Sequence, residues 1–241
     1  MSSIQNHLIP SHCQLSQLEN LIGYRFTDQS LLLRALTHRS FRAEHPRLVA
    51  TDNETLEFLG DAVLDLVIGA QLIALYPEKP EGELTKLRSA LVQEKHLSIV
   101  ANDLSIGTFL LLGKGEDQSK GRQKPSILAS TYEAVVGAIF SDSNYQTAKE
   151  IIEHQFHARI DMAQLAMKAS DPKSALQELT QEKHNTAPAY VLESSEGPDH
   201  AKIFTVSVHL LGRCVASASA RSKKAAEQKA AAAAITHLRQ P

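Results

Sequence analysis

Through residues 15–167 apolar side chains recur mostly at the spacing of an amphipathic helix, and Gly, Pro and capping residues cut the run into separate elements. Residues 15–22 predict a short helix stopped at Gly23. Residues 31–37 predict a second, capped by Asp28 or Ser30, and residues 41–51, with Pro46, read as loop. A long apolar helix follows from Asn53 through Leu75 and ends before Pro77. Residues 83–104, 126–141 and 145–167 predict three more, and the polar, basic stretch 117–124 separates the first two of these.

The pattern changes at Ser170-Asp171-Pro172. Residues 172–183 predict a helix with proline in its first turn. Phe204, Val206, Val208 and Leu210 then alternate with Thr205, Ser207 and His209, as in a half-buried strand. Residues 189–193 and 213–219 supply partner strands, Glu196-Gly197-Pro198-Asp199 has turn chemistry, and Ser222 caps a last helix over 223–238. The expected architecture is an all-α N-terminal domain over residues 15–164, after a flexible lead-in over 1–14. A linker over 165–170 joins it to a small α+β domain, ordered α-β-β-β-α, over 171–241.

On the long helix, Glu54, Glu57 and Asp61 fall within about 60° of one another. Leu56, Leu59, Val63, Leu66 and Val67 project from the other side. Acids at helical neighbour spacing repel by a few tenths of a kcal/mol per pair, ~0.2–0.5. The nearest basic residues in sequence are Arg47 and Lys79, so nothing adjacent relieves that repulsion. A solvated acidic face is the bland reading, and coordination of a hard divalent cation is the sharper one. Phe58 lies about 40° from Glu54 on the acidic side, where a lone domain leaves it wet. Burial against a second copy or under a neighbouring loop would cover it.

Composition narrows the classes. The 241 residues are 43% hydrophobic and 22% charged, ordinary values for a globular chain. Asp61, Asp65 and Gln71 interrupt the most apolar segment, which argues against a membrane span, and the N-terminus lacks the pattern of a secretory signal. Two cysteines, Cys13 and Cys214, suit a reducing cytoplasm rather than a disulfide framework. Residues 1–170 carry 16 Lys and Arg against 20 Asp and Glu, and residues 171–241 carry 9 against 7. Attraction to nucleic acid must therefore come from local patches.

The stretch Asn53-Glu54-Thr55-Leu56-Glu57-Phe58-Leu59-Gly60-Asp61-Ala62-Val63-Leu64 resembles the signature of bacterial ribonuclease III. Ala35-Leu36-Thr37-His38 and Ile127-Leu128-Ala129-Ser130-Thr131-Tyr132-Glu133-Ala134 are similar to that family on either side of it. Residues 171–238 resemble a double-stranded RNA-binding domain through Ala175-Leu176-Gln177-Glu178-Leu179, Gly197-Pro198-Asp199-His200-Ala201-Lys202 and Ser222-Lys223-Lys224-Ala225-Ala226-Glu227.

The resemblance implies a metal-dependent endoribonuclease. It would hydrolyse double-stranded RNA to 5′-phosphate and 3′-hydroxyl ends with short 3′ overhangs, in the processing of ribosomal and other precursor RNAs. It implies Glu57, Asp61 and Glu133 as metal ligands, with Asp61 and Glu133 catalytic, and up to two Mg²⁺ per site, for which Mn²⁺ can substitute. Glu54 and Glu81 match acids of the surrounding cleft. Ser130 stands where the family most often carries aspartate, and a neutral hydroxyl is a poor magnesium ligand. That departure keeps open an alternative, a double-stranded RNA-binding protein with weak or no cleavage. Gln177, Glu178 and His200 match minor-groove contacts of an A-form duplex, and Lys223 and Lys224 match phosphate contacts at a helix N-terminus. The family's symmetric homodimer runs through the region of Phe58.

Overall fold

The computed structural model describes residues 9–198 and 201–239. Ser11 opens α1 (His12–Ile22) with a reciprocal capping box to Gln14, and Gly23 closes it in the left-handed conformation at φ 83°. This helix starts within the segment expected to be a flexible lead-in, because Ser11 and Gln14 together satisfy its first backbone donors. Asp28 caps α2 (Gln29–Ala35). The segment expected as loop after it contains α3 (Arg39–Glu44), whose N-cap is His38.

The long apolar helix is α4 (Glu54–Leu75). Its N-cap, Asn53, makes no side-chain capping bond. The helix start is held from outside instead. Asp52 accepts from the Glu54 amide at 3.3 Å and from Arg42 at 2.9 Å, while the Asn53 amide donates to the Thr37 carbonyl at 3.0 Å. By length and composition alone α4 is apolar enough to cross a membrane, so the interrupting acids do not exclude it on that test. Here it is the central helix of the N-terminal unit, burying Leu56, Val63, Leu64, Val67, Ile68 and Leu72.

The single helix expected over 83–104 is two, α5 (Glu81–Val92) and α6 (Glu94–Asp103), separated by Gln93 in an extended conformation. A short α7 (Lys114–Gln118) follows, with a 3₁₀ turn at Gly121–Gln123. Then come α8 (Pro125–Asp142), with proline in its first turn, and α9 (Tyr145–Ser170). The principal packing is α4 on α8, and two glycines permit it. A Cβ on Gly60 would lie 1.8 Å from the Glu133 carbonyl oxygen, and one on Gly137 would lie 2.1 Å from that of Leu56. Only hydrogen atoms at both places let the backbones approach this closely.

The chain divides between Ala163 and Gln164, inside α9. Residues 165–170, expected as linker, are the last turns of that helix. The second unit contains α10 (Pro172–His184), β1 (Ala189–Glu196), β2 (Ile203–Leu210), β3 (Arg213–Ala220) and α11 (Lys223–Arg239). The strands form one antiparallel sheet in the order β1-β2-β3. Leu176 of α10, Val208 of β2 and Ala230, Ala231 and Ala234 of α11 make its core. The alanines keep α11 close to the sheet. The strand expected over 204–210 is present and buries Val206, Val208 and Leu210, but the alternation is imperfect: Ser207, expected on the outer face, is buried and donates to Glu193, and Phe204 is only half-buried.

Candidate functional site

Helical periodicity places Glu57 and Asp61 one turn apart on α4, and Ser130 and Glu133 one turn apart on α8. The glycine-mediated crossing brings the two pairs together. The Ser130 hydroxyl donates to Glu57 Oε1 at 2.9 Å across the crossing. The Glu133 carboxyl is pushed up to about 8, first by burial and then by the negative charges of Asp61 and Glu57. No cation among the described residues pairs with Glu133, which explains the size of the effect. Glu57, Asp61 and Glu133 thus share one electrostatic field.

Glu54 is different. Its carboxylate lies 3.7 Å from Arg39 Nη1, both groups being exposed. The stripe therefore does have a basic neighbour, contributed through space by α3, although Arg47 and Lys79 are nearer in sequence. Glu81 is the first residue of α5, accepts from Thr85 Oγ1 at 2.8 Å, and does not line the cleft described next.

A cleft of about 360 Å³ opens beside the acids. Glu54, Glu57 and Ser130 line it together with His38, Arg39, Glu116 and Lys124, whereas Asp61 and Glu133 do not. Lys124 Nζ donates to Glu116 Oε1 at 2.5 Å and to Ser119 Oγ at 3.0 Å. The Lys124 ammonium holds the Glu116 carboxyl below the usual range. His38, Arg39, Glu116 and Lys124 were missed as site residues. Arg39 directly follows the Ala-Leu-Thr-His match, and Glu116 closes Gly113-Lys114-Gly115-Glu116, but neither position has helical spacing to the acids.

Among the described residues, no three His, Cys, Asp or Glu side chains converge as a ready-made cation cage. The donor set itself suits a hard divalent cation: it is anionic, built of oxygens, and self-repelling without one. Ser130 supplies an uncharged oxygen already engaged with Glu57.

In the second unit, Gln177 and Glu178 are exposed on α10 between the buried Leu176 and Thr180. Lys223 and Lys224 are exposed in the first turn of α11, where Ser222 Oγ accepts from the Ala225 amide at 3.2 Å. The helix dipole there adds to their positive field. His200 lies outside the described residues. Phe58 is 81% exposed, and Leu66 and Ile73 on α4 are also exposed, although the sequence pattern placed Leu66 on the inward face.

Comparison with known proteins places these features. A family model described as Ribonuclease-III-like matches residues 28–160, and a double-stranded RNA binding motif matches residues 172–238. A protein named Ribonuclease 3 from Desulfotalea psychrophila is 49% identical over 223 residues, covering 92% of each chain. Its counterpart from Syntrophobacter fumaroxidans is 47% identical, covering 92% of this chain and 93% of its own. The solved nuclease domain of ribonuclease III from Campylobacter jejuni, in which a region involved in dimer formation is flexible, is 44% identical. It covers 59% of this chain and 98% of its own, with a TM-score of 0.54. The chain belongs to the ribonuclease III family of endoribonucleases, with a helical nuclease domain followed by a double-stranded RNA-binding domain.

Proposed function

We propose that the chain is a divalent-metal-dependent endonuclease that cuts double-stranded RNA to 5′-phosphate and 3′-hydroxyl ends, with short 3′ overhangs, in the processing of ribosomal and other precursor RNAs in the cytoplasm. The observation that carries this reading is the α4–α8 crossing, which sets Glu57 and Asp61 against Glu133 in one uncompensated acidic field. Glu57, Asp61 and Glu133 would hold Mg²⁺ or Mn²⁺, up to two ions. When bound, such ions stabilise charge on the attacked phosphate and lower the pKa of water. The protein's own contribution is to position those oxygens and to receive the strand in the adjoining cleft lined by Glu54, Glu57, Ser130, His38, Arg39 and Lys124. Gln177, Glu178, His200, Lys223 and Lys224 would grip the duplex through 2′-hydroxyls and phosphates. The test is incubation with a long RNA duplex with and without magnesium, followed by end-group mapping. Cyclic phosphates or 3′-phosphates among the products would overturn the mechanism.

One observation favours the alternative of a duplex-binding protein with weak cleavage. Ser130 adds no charge to the site and spends its hydroxyl on Glu57. Ser130→Asp is accordingly expected to lower the magnesium concentration for half-maximal cleavage several-fold, because it restores an anionic oxygen. A titration curve that does not move would remove Ser130 from the metal's surroundings.

The exposed apolar stripe of Phe58, Leu66 and Ile73 on α4 is the surface through which two copies would pair. An isologous contact there sets two acidic sites in two-fold relation, one for each strand of a duplex. Phe58→Glu places a charge in that contact and is expected to convert a dimer into a monomer at micromolar concentration in sedimentation. Unchanged sedimentation of the variant, or a wild-type monomer, would discard this surface.

A further inference from the structure

His38 occupies a position that fixes its protonation pattern. Its backbone is held on both sides: the His38 amide donates to the Leu111 carbonyl at 3.1 Å, and the Thr37 carbonyl accepts from Asn53 at 3.0 Å. The ring caps α3, and Nδ1 accepts from the Ser40 amide at 3.3 Å. A backbone amide only donates, so Nδ1 carries no proton. The Ser40 hydroxyl, 2.8 Å from Nδ1, accepts from the Gly113 amide at 2.9 Å and so is free to turn its own proton onto Nδ1. The neutral ring therefore carries its hydrogen on Nε2. Burial also lowers the ring's pKa, in keeping with this neutral form.

His38 lines the same cleft as Glu54 and Glu57. The cationic donors beside it are already engaged, Arg39 with Glu54 and Lys124 with Glu116 and Ser119. The Nε2 hydrogen has no acceptor among the described residues. We infer that His38 Nε2–H is a substrate contact, donating to a non-bridging phosphoryl oxygen of the RNA strand held in this cleft. The inference rests on the proposal that the cleft receives duplex RNA. The chemistry favours phosphate because an A-form duplex presents its backbone to a protein surface, and most contacts to nucleic acid are made there. A neutral donor is suited to this place. It binds the phosphate oxygen without adding a positive charge that would pair off the neighbouring carboxylates.

Asparagine and serine can both cap a helix, but neither reaches as far as Nε2, whereas the glutamine amide does. His38→Asn and His38→Ser should melt within a few degrees of wild type, so two variants guard against a folding artefact. Under single-turnover conditions on a duplex with one cleavage site, both are expected to cut about tenfold or more slowly, the loss of a hydrogen bond to a charged group. His38→Gln should recover a substantial part of that rate. A single methylphosphonate linkage walked along the strand supplies the RNA side. At one position near the cut it should slow the wild-type protein, and this loss should not add to that of His38→Asn. Wild-type rates in both cap-competent variants, a glutamine variant as slow as asparagine, or additive losses at every linkage would each overturn the contact. A wild-type protein that leaves the duplex intact with magnesium and with manganese would instead overturn the nuclease reading on which it rests.

Discussion

Glu133→Gln is expected to lower cleavage of duplex RNA by roughly a thousandfold while duplex binding persists. The side chain keeps its volume and its place on α8, so packing is untouched, but one of three mutually repelling carboxylates disappears. In wild type, burial and the charges of Asp61 and Glu57 raise the Glu133 carboxyl to about 8. Without a cation the folded protein therefore holds this proton more tightly than the unfolded chain, whose carboxyl titrates in the ordinary range. Stability from this group is complete below that ordinary range and is lost as pH rises toward 8. The glutamine variant has nothing to ionise. Metal-free Glu133→Gln should thus melt several degrees above metal-free wild type at pH 8.5, with the difference shrinking toward pH 5. A bound divalent cation should reverse the order, raising the melting temperature of wild type more than that of the variant. Normal turnover by the variant, or parallel stability curves against pH, would remove Glu133 from the shared field.

Gly60→Ala is expected to destabilise the nuclease domain by about 3 kcal/mol or more, beyond the common range for an overpacked core. The added methyl would sit 1.8 Å from the Glu133 carbonyl oxygen, so one helix backbone must move. Alanine's higher helix propensity returns only about 1 kcal/mol. The same helix contains its control. At Gly69 the nearest atoms to an added Cβ are in the Arg88 side chain at 3.8 Å, so Gly69→Ala should be neutral or stabilising. Thermal melting of the two variants separates helix propensity from close approach. Cleavage by Gly60→Ala should fall further than its stability explains, since the same displacement parts Glu57 and Asp61 from Ser130 and Glu133. Gly137→Ala meets the Leu56 carbonyl at the same crossing, and the double variant should cost less than the two single losses combined. Equal melting of Gly60→Ala and Gly69→Ala would show that α4 and α8 can part freely.

Periodicity alone determined a good deal of this protein. The run of apolar residues with four interspersed acids specified α4, and the alternation over 204–210 specified β2, because burial on one face imposes a repeat that survives in sequence. Helical spacing put Glu54, Glu57 and Asp61 on one face, while Glu133 came only from the resemblance to ribonuclease III. Tertiary structure decided what has no repeat. Four of the six residues of α3 lie in the stretch 41–51 that reads as loop, because that stretch contains Pro46 and the helix cap is a histidine, a weak local signal. The break at Gln93 turns on one residue's backbone angle. Arg39 beside Glu54, and Glu116 with Lys124 in the lining of the cleft, come from outside the acidic helix, and Coulomb forces act through space without regard to chain order. Along the chain, Gly60 and Gly137 show only a helix-propensity cost of about 1 kcal/mol each relative to alanine. Only the crossing shows that each makes room for the other helix's carbonyl, and that this spacing is what joins the acids into a site.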